Sequence, residues 1–162
     1  ATTCVSVGKC HKRIQKTWLI NMKNIILCDI DGTVANNDHR QHFLEGKKDW
    51  NGFFSELVND LPIQTIIDKV IQEQLSGKEI VFITGRPERY RYSTTFWLKS
   101  YFDFEFQLLM RKDNDQRNKI LIKKEIFEEN FVNEEIFLAI DNDKDLLRMW
   151  NDFGLTTLDA SL

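Results

Sequence analysis

Residues 22–162 predict an α/β fold: a doubly wound, Rossmann-like parallel sheet of five strands with helices on both faces. Three observations carry that prediction. Short runs rich in β-branched residues alternate with longer stretches whose apolar residues recur at helical spacing, the pattern of repeated strand–helix units. Strand–helix–strand crossovers of that kind are right-handed, which puts the carboxyl ends of the strands along one edge. Chemically capable residues gather at the ends of those runs, where open α/β sheets bind ligands.

Taken in order, Ile25-Ile26-Leu27-Cys28 is too short for a buried helix and reads as a core strand. Asp29 and Asp31 follow it, and Gly32-Thr33 turn the chain. The same letters fit an ordinary Asp-Gly turn. Two like charges so close are costly, however, unless they share a cation or a proton. A divalent metal is the simplest resolution. Residues 36–48 are polar and read as a loop or flap over the strand ends, within which Arg40 either folds back towards Asp31 or stays solvated. Asp49 resembles an N-cap for a helix over 50–57. The helical spacing of Trp50, Phe53, Phe54 and Leu57 favours core packing over base stacking.

Pro62 suits the first turn of the next helix, with Ile63, Ile66, Ile67, Val70 and Ile71 as its apolar face and Gly77 as its stop. Residues 79–84 form the second strand and run into Thr84-Gly85-Arg86-Pro87. A hydroxyl, an available glycine amide and an arginine fork at a strand end suit a cluster of anionic oxygens. Pro87 starts a helix to about residue 100, on which Arg89 and Arg91 thicken the positive charge. A third strand over 104–110 precedes Arg111 and a polar loop at 112–115, and a helix over 116–129 carries Lys119, Lys123 and Lys124. The fourth strand, 136–140, runs straight into Asp141-Asn142-Asp143. A helix over 143–152 with Leu146, Leu147, Met149 and Trp150 stops at Gly154, before a short last strand at 155–158.

At 162 residues the chain can bury the core of one domain. Its net charge of −3 hides an asymmetry: residues 1–28 carry five Lys or Arg and no acid, so 29–162 carry −8. An acidic body argues against broad, sequence-independent binding to duplex nucleic acid, and leaves room for a local basic pocket that takes one end of a strand. No apolar run approaches the ~18–20 residues of a membrane span. Cys4, Cys10 and Cys28 lack metal-finger spacing and point to a reducing, cytoplasmic compartment, with Cys28 a small buried hydrophobe. Residues 1–21 are basic, acid-free and aperiodic, and read as an extension or leader outside the 22–162 domain.

In a doubly wound sheet, Asp29, Asp31, Thr84 and Asp141 meet along one edge and make an oxygen-rich site suited to Mg²⁺. No His or Cys cluster suits zinc. A G-x-S-x-G elbow is absent, and so is a P-loop, which argues against kinase chemistry in these residues. The nucleophile that remains is a carboxylate, able to form an aspartyl-phosphate.

In this order, Asp29-x-Asp31-Gly-Thr, Thr84-Gly-Arg, a helical lysine and Asp141 resemble the haloacid dehalogenase superfamily of phosphotransferases. Within it, several stretches are most similar to the 3′-phosphatase domain of bacteriophage polynucleotide kinase. They are Asp31-Gly-Thr-Val-Ala with Arg40, Thr84-Gly-Arg-Pro-Glu-Arg-Tyr-Arg, and Lys123-Lys124-Glu125-Ile126-Phe127. The resemblance implies an enzyme with a small or absent cap. Asp29 would attack phosphorus, and Asp31 would protonate the leaving oxygen and then deprotonate water. Asp29, the Asp31 carbonyl and Asp141, with Asn142 beside them, would hold Mg²⁺. Thr84 and the Gly85 amide would bind phosphoryl oxygens, Arg86 and Arg40 would add charge, and Lys123 would offset charge near Asp29. Three departures stand out. Lys119 and Lys123 are one helical turn apart, so both could face the site, and the spacing to Glu125-Ile126-Phe127 favours Lys123. Lys119 falls where the phage enzymes carry an acid. Asn142 stands where they have a second acid, with Asp145 one turn on as another possible support. The implied substrate is a nucleic-acid 3′-phosphate end, with a small nucleotide or other phosphomonoester as the alternative, and a non-catalytic module that binds phosphorylated ends behind both. The missing kinase motifs point either to a stand-alone phosphatase or to one that works beside a separately encoded kinase or ligase.

Overall fold

A computed structural model describes residues 24–131 and 135–161. The readings made on residues 1–21, including Cys4 and Cys10, lie outside the described residues. The central strand β1 (Ile25–Cys28) is buried at all four positions, as its apolar run requires when both faces of a sheet are covered. A short insert follows: β2 (Ala35–Asn36), a 3₁₀ helix at Asp38–Leu44, α1 (Trp50–Ser55), a 3₁₀ turn at Leu57–Asn59, and β3 (Leu61–Pro62). Then come α2 (Gln64–Leu75), β4 (Glu79–Pro87), α3 (Arg91–Lys99), β5 (Gln107–Arg111), α4 (Lys119–Asn130), β6 (Ile136–Asp141), α5 (Lys144–Asp152) and β7 (Thr157–Asp159).

The main sheet has the order β5-β4-β1-β6-β7 and every pairing in it is parallel. This is the predicted five-stranded, doubly wound architecture. Successive side chains along a strand point to opposite faces, so the sheet separates two cores. Ile26, Cys28, Ile80 and Phe82 pack against Ile66, Ile67 and Val70 of α2 and against Trp97 and Leu98 of α3. Leu27, Val81 and Ile83 face Phe127 of α4 and Leu146, Met149 and Trp150 of α5. Trp150 is buried with its ring 5.5 Å from that of Phe127, so truncating it to alanine would cost about 3–5 kcal/mol. Gly77 and Gly154 stop their helices with φ of +88° and +78°, which a side chain would resist.

Five readings shift. Pro62 does not open a helix: Leu61–Pro62 pairs antiparallel with Ala35–Asn36, and α2 starts at Gln64. A two-residue ribbon tolerates proline because it needs few ladder bonds. The polar stretch at 36–48 is largely a 3₁₀ helix whose inward residue is a charge, Arg40, so no apolar period reveals it. The third strand begins at Gln107, and Phe104 and Phe106 pack beside it against the core. Pro87 ends β4 instead of starting a helix, with a 3₁₀ turn at Glu88–Tyr90 leading into α3. In α1, capped by the Asp49 side chain on the Gly52 amide at 2.9 Å, Phe53 and Phe54 are buried, but Trp50 is 48% exposed.

Candidate active site

Because the strands are parallel, Asp29 leaves β1, residues 84–86 lie in the last stretch of β4 and Asp141 ends β6, all at one edge of the sheet. The first cluster there is a trio. Lys123 of α4, 1% exposed, places its Nζ 2.6 Å from Asp29 Oδ1 and 2.9 Å from Asp141 Oδ2. The Thr33 hydroxyl donates to Asp29 Oδ2 at 3.0 Å. Two carboxylates thus share one ammonium away from water. Burial pushes the Asp29 carboxyl up to about 6, Lys123 opposes the rise, and the charges of Asp141 and Asp31 add to it. Burial works against the charge on Lys123, yet Asp141 and Asp29 outweigh it and raise the amine above its ordinary value. Lys119 pairs with Asp143 on the cavity wall, so of the two helical lysines Lys123 is the one beside Asp29.

The second cluster surrounds Asp31. Arg86 grips its carboxylate with a fork, Nε at 2.9 Å and Nη2 at 2.8 Å, and Arg40 Nη2 bonds Oδ1. Behind them lies Asp60, 3% exposed, which accepts from Arg40 Nε at 2.6 Å, Arg40 Nη2 at 2.6 Å and Arg86 Nη2 at 3.0 Å. Trp97 Nε1 donates to the Asp60 carbonyl at 2.8 Å, and the Phe53 ring lies 4.2 Å from the Arg40 guanidinium. Burial would raise the Asp31 carboxyl, but Arg86 and then Arg40 hold it well below the usual carboxylate range. Arg40 and Arg86 were expected beside the phosphate. Instead both are fully buried, line no part of the cavity, and are matched by Asp31 and Asp60. Asp60 went unnoticed in the sequence; its partners lie 20 and 26 residues away, so nothing local signals a buried acid.

Both clusters open on a cavity of about 830 Å³ that Asp29, Asp31, Lys123 and Asp141 line from below, with Gly85 and Asn142. Thr84 lies just behind, its hydroxyl accepting from the Arg86 amide at 3.2 Å. Trp50, Phe54, Arg89, Arg111, Lys112, Arg117 and Lys119 make the outer wall. Six lysines and arginines face four aspartates across this lining, on a body that is acidic overall.

Among the described residues no group of three or more His, Cys, Asp or Glu side chains forms a ready metal cage. The donors still fit Mg²⁺, which characteristically takes one or two carboxylates, keeps several waters and shares phosphate oxygens of the substrate. Asp29 and Asp141 provide the carboxylates. Asn142 is held close to Gly32: a Cβ on that glycine would lie 2.3 Å from Asn142 Nδ2. Asp145 stands apart, exposed and 3.2 Å from Arg148.

A parallel sheet that delivers Asp29 and Asp31 from its central strand, with a buried lysine and a third acid across from them, defines a phosphatase of the haloacid dehalogenase type. The chain belongs to the family described as the polynucleotide kinase PNKP phosphatase domain, whose profile matches residues 23–161. It is 27% identical, over 82% of its length, to a protein of Autographa californica nuclear polyhedrosis virus named as a bifunctional polynucleotide kinase/RNA ligase, of which it covers 18%. It is similar to a chain of the Pnkp1/Rnl/Hen1 complex, with a TM-score of 0.71 and 25% identity over 86% of this chain and 46% of that one. A class C acid phosphatase from Bacillus anthracis shares the fold, with a TM-score of 0.61 and 19% identity over 87% of this chain and 68% of that one. The chain therefore spans less than half of the first two relatives.

Proposed function

We propose that the protein is a Mg²⁺-dependent phosphomonoesterase that removes 3′-phosphates from nucleic-acid ends through an aspartyl-phosphate on Asp29. The observation that carries this reading is the contrast between two neighbouring acids on one cavity floor. Asp29 sits beside Lys123 and Asp141, while Asp31 is clamped by two guanidiniums. An Asp29 oxygen attacks phosphorus, and the bond from phosphorus to the sugar oxygen breaks. Asp31 relays the proton that this oxygen needs; because Arg86 and Arg40 hold it ionised, it first takes that proton from the incoming phosphate monoanion and then hands it to the sugar oxygen. It then takes a proton from the water that attacks the acyl phosphate, which frees inorganic phosphate and restores Asp29. Held ionised by its arginines, Asp31 is ready for that second step; the first step makes its largest demand when the leaving group is a sugar alcohol. Lys123 offsets the charge that gathers between Asp29 and the phosphoryl group, and the Gly85 amide, on the cavity lining, would orient phosphoryl oxygens, with the buried Thr84 behind it. Asp29, the Asp31 carbonyl and Asp141, with Asn142 alongside, would hold Mg²⁺, which when bound supplies Lewis-acid neutralisation of the phosphate.

The basic, open wall with a half-exposed tryptophan supports a strand end as substrate over a sugar phosphate. The names of the viral relative and of the Pnkp1 complex support a partner activity, kinase or ligase, that acts on the same ends. No helix among the described residues is long and apolar enough to cross a membrane. The test is a rate comparison on a 3′-phosphorylated oligonucleotide, a 5′-nucleotide and sugar phosphates, with and without Mg²⁺ and beside Asp29→Asn. The oligonucleotide is expected to be preferred. Preference for the small molecules overturns the substrate assignment, and wild-type turnover no faster than the Asn variant leaves only a binding module.

A further inference from the structure

One cation on the cavity wall differs from its neighbours. Arg117 pairs with Asp115 at 2.7 Å and Glu125 at 2.6 Å, Lys119 pairs with Asp143, and Arg89 lies 3.5 Å from Asp113. Arg111, at the carboxyl end of β5, has no carboxylate partner among the described residues. Its Nη1 is held by the backbone carbonyls of Asp115, at 3.1 Å, and Arg117, at 3.4 Å, which fix the plane of the group. Its Nε is the only buried side-chain nitrogen or oxygen among the described residues that lacks a hydrogen-bond partner. Its Nη2 stands 3.4 Å from the place a Cβ would take on Gly85, at the cavity edge. Burying a guanidinium donor without an acceptor is unfavourable, and here burial also lowers the group's hold on its proton, with only Asp115 opposing. The Nη2 end, at the cavity edge, is the part of this guanidinium that an arriving phosphate can meet, and a charge-assisted bond there would offset the cost of burial.

Position decides which phosphate. β4 lies between β5 and β1, so the Arg111 backbone is two strand spacings, about 10 Å, from the strand that carries Asp29. The transferred group must sit in line with Asp29, where Lys123 already supplies the positive charge, and Gly85 on β4 stands between that place and the Arg111 Nη2. The cavity, at about 830 Å³, is large enough for more than one phosphate group. We infer that Arg111 binds the phosphodiester one nucleotide inward from the phosphate being removed, and so makes the site prefer a polynucleotide end to a mononucleotide. This inference rests on the 3′-end reading above.

The experiment compares three substrates with the full chain: a dinucleotide 3′-phosphate, the same molecule with an uncharged methylphosphonate linkage, and a nucleoside 3′-monophosphate. Wild-type kcat/KM is expected to fall about 10–100-fold when the linkage loses its charge, mainly through KM, the range for one charge-assisted contact. Arg111→Gln should lose a similar factor on the charged dinucleotide and respond little to methylphosphonate, with a clearly smaller loss on the monophosphate; Arg111→Lys should fall between. A wild type indifferent to the methylphosphonate overturns the inference without any variant. Equal losses for Arg111→Gln on the dinucleotide and the monophosphate also overturn it, and would assign Arg111 to the transferred group or to the fold. A wild type that turns over p-nitrophenyl phosphate but none of the three overturns the 3′-end reading and this inference together, a result the wild type alone distinguishes.

Discussion

Asp29 and Asp31 leave the same strand with one residue between them and arrive in opposite electrostatic settings. Around Asp29, two carboxylates share one lysine, so the trio carries one uncompensated negative charge. Around Asp31, two carboxylates face two arginines, and the quartet is balanced. Removing charges from water is costly, and the cost is recovered only when partners and hydrogen bonds are complete. The quartet meets that condition inside the protein. The trio does not, and its excess negative charge suits a site that is completed by something from outside. Chemistry and scaffolding are thereby divided between neighbouring residues.

Asp29→Asn should break this contrast most severely. Turnover is expected to fall by about 10⁴ or more, as when a covalent nucleophile is lost, in steady-state assays of any phosphomonoester that the wild type accepts. The fold should not suffer, because Lys123 keeps Asp141 at 2.9 Å and the excess charge is gone. The pH dependence gives the sign. The Asp29 carboxyl rises from the ordinary value of about 3.9 in an unfolded chain to about 6 in the folded one. Its favourable contribution is therefore present in acid and is lost as pH climbs through about 6. With a chelator present, the Asn variant should melt at or above the wild type at pH 7.5, and the difference should shrink towards pH 4.5. Parallel melting curves across that range would show that Asp29 is not strained by its neighbours.

Asp60→Asn tests the balanced side. The variant keeps the shape and removes one of two negative charges from a site where Arg40 and Arg86 are fully buried. Breaking a buried pair costs about 3–5 kcal/mol. For a domain of this size that is a fall in Tm of roughly 6–20 °C. Asp31 would then answer two guanidiniums alone, so activity should also fall, although far less than for Asp29→Asn. Differential scanning calorimetry beside kinetics separates the two effects, and an unchanged Tm would mean that the quartet contributes no net stability.

How much of this was legible depended on how local the cause was. β1 and β6 followed from runs of apolar residues, the helix stops from Gly77 and Gly154, and the meeting of Asp29, Thr84 and Asp141 from parallel topology alone. A one-turn spacing leaves Lys119 and Lys123 both able to face the site, and only the likeness at 123–127 favoured Lys123; the packing of α4 turned Lys123 inward and left Lys119 half-exposed beside Asp143. Asp60 and the burial of Arg40 were hidden for a different reason. A charge is stable in a core only through partners distant in sequence, and composition carries no trace of which ones they are. The unpaired donor on Arg111 was invisible for the same reason, since it is defined by what fails to reach it.

Helix α1 joins the quartet to the cavity wall, and so offers the finest test of the division between them. Phe53 faces inward: its ring lies 4.2 Å from the Arg40 guanidinium and its carbonyl accepts from Arg40 Nη1 at 3.2 Å. Trp50, three residues earlier, is stacked on Phe54 at 6.0 Å and keeps 48% of its surface exposed at the cavity. Phe53→Ala should act on stability, by about 3–5 kcal/mol, because it empties the space under a buried guanidinium. Trp50→Ala should leave the melting temperature within a few degrees, since about half of its area is already in water. If the wall receives a nucleobase, its loss should raise KM for a 3′-phosphorylated oligonucleotide by roughly 5- to 150-fold, the range of a single base stacked on an aromatic ring. KM for p-nitrophenyl phosphate, which has no base to stack, should hardly move. An equal change for both substrates would mean that Trp50 shapes the mouth of the site without recognising what enters it.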